Sequence, residues 1–178
     1  FIANCNQKKI PLVFVQDVTG FMVGSKSEHG GIIKDGAKMV NAVSNSVVPK
    51  FTVIVGNSYG AGNYAMCGKA YDPRLIYAWP TAQMAVMSGA AAGNTLLQIQ
   101  EAALKSKGFT IGAEEKKELL DKITEQYNEQ LSPYYAAARL WVDGVIDPTE
   151  TRKIVSMGIE AANHAPITER YNVGVIQT

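Results

Sequence analysis

Two cysteines and two histidines are all that this 178-residue sequence carries of those types, and that scarcity removes most metal and nucleophile chemistry at the outset. Cys5 and Cys67 lie far apart and form no ligand spacing, so buried free thiols in a reducing compartment are expected and a disulfide framework is not. No metal-binding constellation is present. Long hydrophobic runs are also missing, since no uninterrupted apolar stretch reaches the ~18 residues of a membrane span. The opening FIANCNQKK has none of the layout of a signal peptide. It lacks an initiator methionine and starts close to the first strand, so a piece of a longer polypeptide is expected, and a processed chain would begin the same way. Charge of one sign is lacking too: the formal net charge is +1 with no clustered basic stripe, which argues against DNA or RNA as a partner. The cytoplasm or an organelle matrix is the expected compartment.

What is there is enough for one core. With 47% hydrophobic and 19% charged residues, residues 1–178 are expected to form a single ordered domain. Continuous apolar runs alternate with helical spacing, the pattern of an α/β fold with a mainly parallel sheet. Residues 10–16 (IPLVFVQ) read as the first strand, followed by a glycine-rich loop from Asp17 to Gly31. Ile33, Ala37, Val40 and Val47 mark one face of a helix that stops before Pro49. A central strand over 51–55 comes next, then short strands over 75–79 and 83–87. Helices are predicted over 90–107 and about 113–130, again over 134–141, and last from Thr149. A short strand with its exit is expected at Gly144, Val145, Ile146 and Pro148, and periodicity is lost from His164, so the tail should drape over the domain or a partner.

The most informative stretch is FTVIVGNSYGAGNYAMCG, residues 51–68. Its apolar run has the composition of a strand buried on both faces, and Gly56, Gly60 and Gly62 then open a small-residue helix. Free N–H groups at a helix start are where backbone stabilises negative charge. The spacing matches neither the lysine-bearing phosphate loop nor the dinucleotide fingerprint, so an anion hole for an enolate or oxyanion is the sharper reading. A tight turn that needs glycine only for packing fits the same residues.

Side chains for acid–base or covalent chemistry are poorly arranged. Neither His29 nor His164 has a neighbour in sequence that would orient it as a base. Ser58 lacks the flanking glycines of a nucleophile elbow. Asp17, at a strand exit, suits a turn cap better than a catalytic role. Tyr59 and Tyr64 flank the glycine turn, where they can line a pocket or pack in a core.

Four ordered segments carry a resemblance: DVTGFMVG (17–24), GGIIKDGAKMVNAV (30–43), VPKFTVIVGNSYGAGNYAMCGKAYDPRLIYAWP (48–80) and ARLWVDGVIDPTETR (138–152). They resemble the C-terminal half of biotin-dependent acyl-CoA carboxyltransferases, above all the β subunits of methylcrotonyl-CoA carboxylases. The propionyl-CoA branch resembles FGGAYDVM at the glycine turn, whereas this chain has YGAGNYAM at 59–66, a departure that favours an enoyl-CoA substrate.

The resemblance implies a crotonase-like spiral of ββα units, this chain being the C-terminal carboxyltransferase domain. A separate N-terminal domain would hold most of the coenzyme A, and the active site would form between an N-terminal domain of one subunit and a C-terminal domain of another, so the chain alone should be inactive. It further implies biotin on a separate carrier, an acyl-CoA substrate, a biotin carboxylase/biotin carrier subunit as partner, and a homo-oligomer within a hetero-oligomer. Matched residue by residue, the backbone N–H groups of Ala61 and Gly62 would donate to the ureido carbonyl of carboxybiotin as an oxyanion hole. After CO₂ is lost, the biotin anion would take the acidic proton of the acyl-CoA. Gly20, Phe21, Tyr59, Gly60 and Tyr64 are the implied lining of the substrate and biotin pocket. Two other roles stay open: a decarboxylase subunit of the glutaconyl-CoA kind using the same turn, and a non-catalytic crotonase-like assembly domain.

Overall fold

The structure, a computed structural model, describes residues 1–109 and 112–175. Its elements run α1 (Ile2–Gln7), β1 (Leu12–Val18), α2 (Ser25–His29), α3 (Ile32–Ser44), β2 (Lys50–Tyr59), α4 (Gly60–Ala65), β3 (Leu75–Ala78) and β4 (Gln83–Ala85). There follow α5 (Gly89–Ser106), α6 (Ala113–Leu131), α7 (Pro133–Ala138), β5 (Gly144–Val145) and α8 (Thr151–Asn163). Every strand pairing is parallel, in the order β1-β2-β3-β5, with β4 laid against the far end of β2.

Burial follows position in the sheet. β1 lies at its edge and alternates, with Leu12, Phe14 and Gln16 covered and Val13, Val15 and Asp17 facing out, as a strand with one covered face must. β2 lies inside the sheet and is buried continuously from Lys50 to Ile54. Leu12 and Phe14 join Cys5, Val43, Val48 and Cys67 in one cluster, while Ile54, Ile76 and Ala78 pack with Ala136 and Val142 in a second. On the opposite face Phe51 approaches α8 so closely that a Cβ on Gly158 would stand 2.9 Å from its ring.

The central strand is longer than its composition predicts. Residues 51–55 are strand as expected, but pairing continues to Tyr59, so Gly56 lies inside the strand. The local sequence hides the reason: residues 57–59 find ladder partners in β4, about 25 residues onward. Between Gln16 and Val18 the register breaks, because Gln16 faces Ile54 whereas Val18 faces Ser58. The carboxylate of Asp17 fills the break, accepting from the Asn57 amide at 2.9 Å, and sits where a Cβ on Gly56 would be only 2.5 Å from its oxygen. β2 thereby leaves β3 after Ile54 and takes up β4 from Asn57.

Two helices were not signalled by periodicity, α1 before the first strand and α2 inside the segment read as loop; they span six and five residues, too short for a repeating apolar stripe. α3 ends at Ser44, short of Val47, because the buried Asn6 carbonyl captures the chain beyond it, accepting from Ser46 Oγ at 3.0 Å and the Val47 amide at 2.8 Å. The α5 and α6 pair matches the predicted helices within a residue or so at each end. It packs through small side chains, a Cβ on Gly93 meeting Thr124 Oγ1 at 2.7 Å. The tail after α8 has no regular structure through residue 175. It is fastened to the domain by Lys9 Nζ on the Ile167 carbonyl and Asn41 Nδ2 on the Val173 carbonyl, both at 2.7 Å. None of the described helices is long and apolar enough to cross a membrane.

Both thiols are buried and unpaired with each other, as the sequence led us to expect. Burial pushes the Cys67 thiol above its ordinary value of 9.0, outweighing the lowering by the Lys50 ammonium and the Thr52 hydroxyl. In the unfolded chain this thiol ionises first, so its contribution to stability is complete below about pH 9 and is lost as pH rises toward the folded value. Tyr59 and Tyr77 act in the same direction from their ordinary value of 10.0, again chiefly through burial. Unfolding free energy should therefore fall on the alkaline side, and Cys67→Ala should flatten the first part of that fall. Urea titrations between pH 7 and 10.5 check this; an unchanged slope in the variant would contradict it.

Candidate functional site

β2 and α4 meet in a junction built on two glycines that cannot be replaced without cost. Gly60 takes φ +55°, and a Cβ there would lie 3.0 Å from the Val86 carbonyl oxygen. Gly62 is buried, and its Cβ would lie 2.5 Å from Val18 Cγ2 and 3.3 Å from Gly20 Cα, so the first turn of α4 rests directly on the end of β1. Between them Ala61 is exposed.

α4 is six residues long and its N-cap, Tyr59, supplies no side-chain acceptor. The first-turn amides of a helix have no partner within it. Among the described residues, none of the turn, loop and cap hydrogen bonds starts from the amide of Ala61 or Gly62. Two adjacent backbone donors thus stand at the end of a parallel strand, where the helix dipole favours negative charge.

Beneath this turn runs a polar chain that the sequence reading missed. Asn63 Nδ2 donates to Ser58 Oγ at 2.7 Å, Ser58 Oγ donates to Gln16 Oε1 at 2.6 Å, and Gln16 Nε2 donates to the Met66 carbonyl at 2.6 Å. Gln16 and Ser58 are 0% and 1% exposed. Each of the three side chains has a partner of the right kind, as buried polar groups require. The sequence signal was available: Gln16 holds the third inward position of β1 after Leu12 and Phe14, where an apolar residue belongs. Thr52 adds a fourth tie, its Oγ1 donating to the Cys67 carbonyl at 2.7 Å.

A cavity of about 320 Å³ opens beside the turn, with Ser58, Gly60, Asn63 and Tyr64 on one side and Met84 and Trp141 among its apolar walls. Lys69 stands at this cavity as well, 3.9 Å from Asp143 Oδ1. Asp143 is already engaged, its other oxygen accepting from the Ile76 amide at 2.7 Å.

The residues singled out from sequence divide between several places. Gly60 and Tyr64 line the cavity, the Tyr64 ring half exposed and edge-on to Tyr71 with centroids 5.9 Å apart. Ala61 and Gly62 stand in the first turn of α4, and Gly20 lies against it, a Cβ on Gly62 standing 3.3 Å from the Gly20 Cα. Tyr59 itself is turned inward, only 5% exposed, with its hydroxyl donating to Gln83 Oε1 at 2.6 Å and held neutral to higher pH by burial. The Phe21 ring lies on Gly36 of α3, where a Cβ would stand. It joins the loop to α3 and does not meet Tyr64 or Gly60 in the cavity. His29 closes α2 and His164 caps α8, both exposed.

The profile of the Carboxyl transferase domain family matches residues 1–173. The chain is 51% identical over 174 residues to the probable mitochondrial methylcrotonoyl-CoA carboxylase beta chain of Drosophila melanogaster, covering 97% of this chain and 30% of that one. It is 50% identical over 169 residues to the mitochondrial methylcrotonoyl-CoA carboxylase beta chain of Arabidopsis thaliana, covering 95% and 29%. Among solved structures, the geranyl-CoA carboxylase beta subunit of P. aeruginosa superposes with a TM-score of 0.82 at 40% identity, covering 96% of this chain and 33% of that chain. This chain therefore spans less than a third of the length of the two curated relatives.

The steric reading of the turn gives a direct test of stability. Gly62→Ala should lower the unfolding free energy by about 1–3 kcal/mol, because the added methyl has to displace Val18 or the helix. Ala61→Ser, at the exposed neighbouring position, should change it by less than about 0.5 kcal/mol. Denaturant unfolding of both proteins decides; equal stabilities would mean that α4 does not rest on β1 as described.

Proposed function

The chain belongs to the Carboxyl transferase domain family, and from that premise we propose that it is the C-terminal carboxyltransferase domain of a biotin-dependent acyl-CoA carboxylase. Its fold is the crotonase-like one of carboxyltransferase beta subunits. The observation that carries the reading is the pair of unengaged amides at Ala61 and Gly62, beside a cavity with apolar walls. Such a site fits a neutral ring whose carbonyl oxygen gains negative charge during reaction, because fixed N–H donors need no reorganisation as that charge develops.

Carboxybiotin, bound there from a separate carrier, would supply the CO₂ and, once that is released, the base for the acyl-CoA. The work of this chain's own residues is positional. Ala61 and Gly62 donate to the carbonyl oxygen, Gly60 and Gly62 allow the ligand and β1 to approach the backbone, and Tyr64 with Trp141 excludes water from one side. No side chain at the turn needs to move a proton, in keeping with Tyr59 turned away and Asp17 engaged by Asn57. Gly20 belongs to this reading as support for the turn. Phe21 packs the loop on α3, and through that loop it would border the channel by which biotin enters.

An enoyl-CoA such as 3-methylcrotonyl-CoA is the substrate we propose. Its support is the names of the two curated relatives and a glycine turn with Tyr64 where the propionyl-CoA type resembles an aspartate. The remaining partners proposed are an N-terminal carboxyltransferase domain of the same and neighbouring subunits and a biotin carboxylase/biotin carrier subunit. Assembly into an oligomer is supported by transcarboxylase 12S, solved as a hexamer assembly, which superposes with a TM-score of 0.81 at 36% identity and covers 96% of this chain and 31% of its own. Half-exposed Trp141 and exposed Tyr134 and Leu140 offer apolar surface of the sort that a second subunit covers. A mitochondrial matrix or cytoplasmic setting goes with that assembly, and 1–178 acting without the N-terminal domain should be inactive.

The test acts on a donor. In the whole polypeptide with its carrier, Ala61→Pro removes one N–H at a helical position where proline is tolerated. Carboxyl transfer should fall about 10²- to 10³-fold, with acyl-CoA affinity and melting temperature close to the parent. Assaying both directions separates a carboxylase from a decarboxylase. Parental transfer rates in a folded Ala61→Pro protein would sink the proposal.

A further inference from the structure

We infer that Gln16, Ser58 and Asn63 are positioning residues for the Ala61 and Gly62 amides: their hydrogen-bond chain holds α4 at the angle where both donors face one oxygen. The inference rests on the function proposed above and adds the residues that act through the turn without touching the ligand's reacting atoms.

α4 cannot hold its own direction. A helix of six residues is far below the length at which a helix is stable alone, and it buries only Gly62 and Ala65. Hydrophobic burial from one Cβ gives little orientational control. Polar ties supply what packing does not. Asn63, in the body of the helix, is bonded to Ser58 on β2, and the Met66 carbonyl at its C-cap is bonded to Gln16 on β1. Ser58 and Gln16 are bonded to each other, so one continuous chain ties the middle and the C-terminal end of α4 to both strands beneath it.

Donor and acceptor polarity runs one way through that chain. Ser58 gives its only hydroxyl proton to Gln16 Oε1, which leaves its lone pairs for Asn63 Nδ2. The glutamine amide group is then fixed with its nitrogen toward Met66. Removing the central hydroxyl leaves a buried glutamine oxygen without a donor and frees Asn63 to turn. The chain is also close to the ligand space, since Ser58 and Asn63 both border the cavity.

Threonine and valine at position 58 provide the experiment. They share size and shape and differ in the hydroxyl, so any crowding from the added methyl is common to both. In the whole polypeptide with its carrier, Ser58→Val should show a kcat about tenfold or more below Ser58→Thr, since misplacement by an ångström reaches a hundredfold. The KM for acyl-CoA should agree within about twofold, as expected when only transition-state stabilisation is lost. Asn63→Leu, at a partly buried position, should likewise lower kcat about tenfold with KM for acyl-CoA within about twofold of the parent, and serves if neither variant at 58 folds. Equal kcat in folded Ser58→Thr and Ser58→Val proteins, with parental kcat in Asn63→Leu, would overturn the inference. Ala61→Pro run alongside distinguishes the two levels: if it is inactive while the pair at 58 is equal, only the positioning role fails. If it is fully active, the donor site itself lies elsewhere.

Discussion

The carboxylate of Asp17 on the amide of Asn57, at 2.9 Å, fixes the place where the central strand changes neighbours. Up to Ile54, β2 is an interior strand between β1 and β3; from Asn57 it pairs with β4. A strand that changed partner without support would leave the Asn57 amide at the bulge without a partner in the protein. Asp17 supplies the acceptor, and Gly56 supplies room for the carboxylate. The changed direction carries the chain out of the sheet at Tyr59, and α4 starts there because nothing further pairs with it.

Tension between order and exposure follows from that geometry. Free amides are useful only if they face ligand and not protein, so the turn must be held from behind. Val18 and Gly20 occupy the space where a Cβ of Gly62 would stand, while Gln16, Ser58 and Thr52 tie down carbonyls and side chains of residues 63–67. These contacts hold α4 to β1 and β2, while Ala61 stays exposed. A rigid back and an open front are what preorganised electrostatic stabilisation requires.

Sequence reading recovered the elements whose signal is local. The α5 and α6 helices have long runs of strong helix formers, and their ends were legible to within a residue or two. The buried half of β2 and the start of α4 were legible from an apolar run meeting glycines. What escaped depends on contacts between distant residues: the extension of β2 is created by β4, the early end of α3 by Asn6, and the inward turn of Tyr59 by Gln83. Phe21 shows the limit for site residues. Its neighbours in sequence place it near Gly20, yet the ring goes to Gly36, a contact that only the packing of α3 decides. The polar chain was half legible, since a glutamine at an inward position of β1 declares a buried partner without saying which one.

A site made of backbone imposes an unusual constraint on sequence. Where side chains do the chemistry, identity is demanded at the reactive residue and relaxed beside it. Under the proposed function the pattern inverts: at Ala61 the donor would be the main chain, and the side chain stands exposed, so many residues other than proline fit. The demand falls on the flanks. Gly60 is required by its left-handed backbone and the nearby Val86 carbonyl, and Gly62 by contact with Val18. One step further out it falls on Ser58 and Asn63, whose atoms bear the helix. The residues that make the turn irreplaceable are thus those that shape and hold it, and the donating residue between the glycines is free to vary.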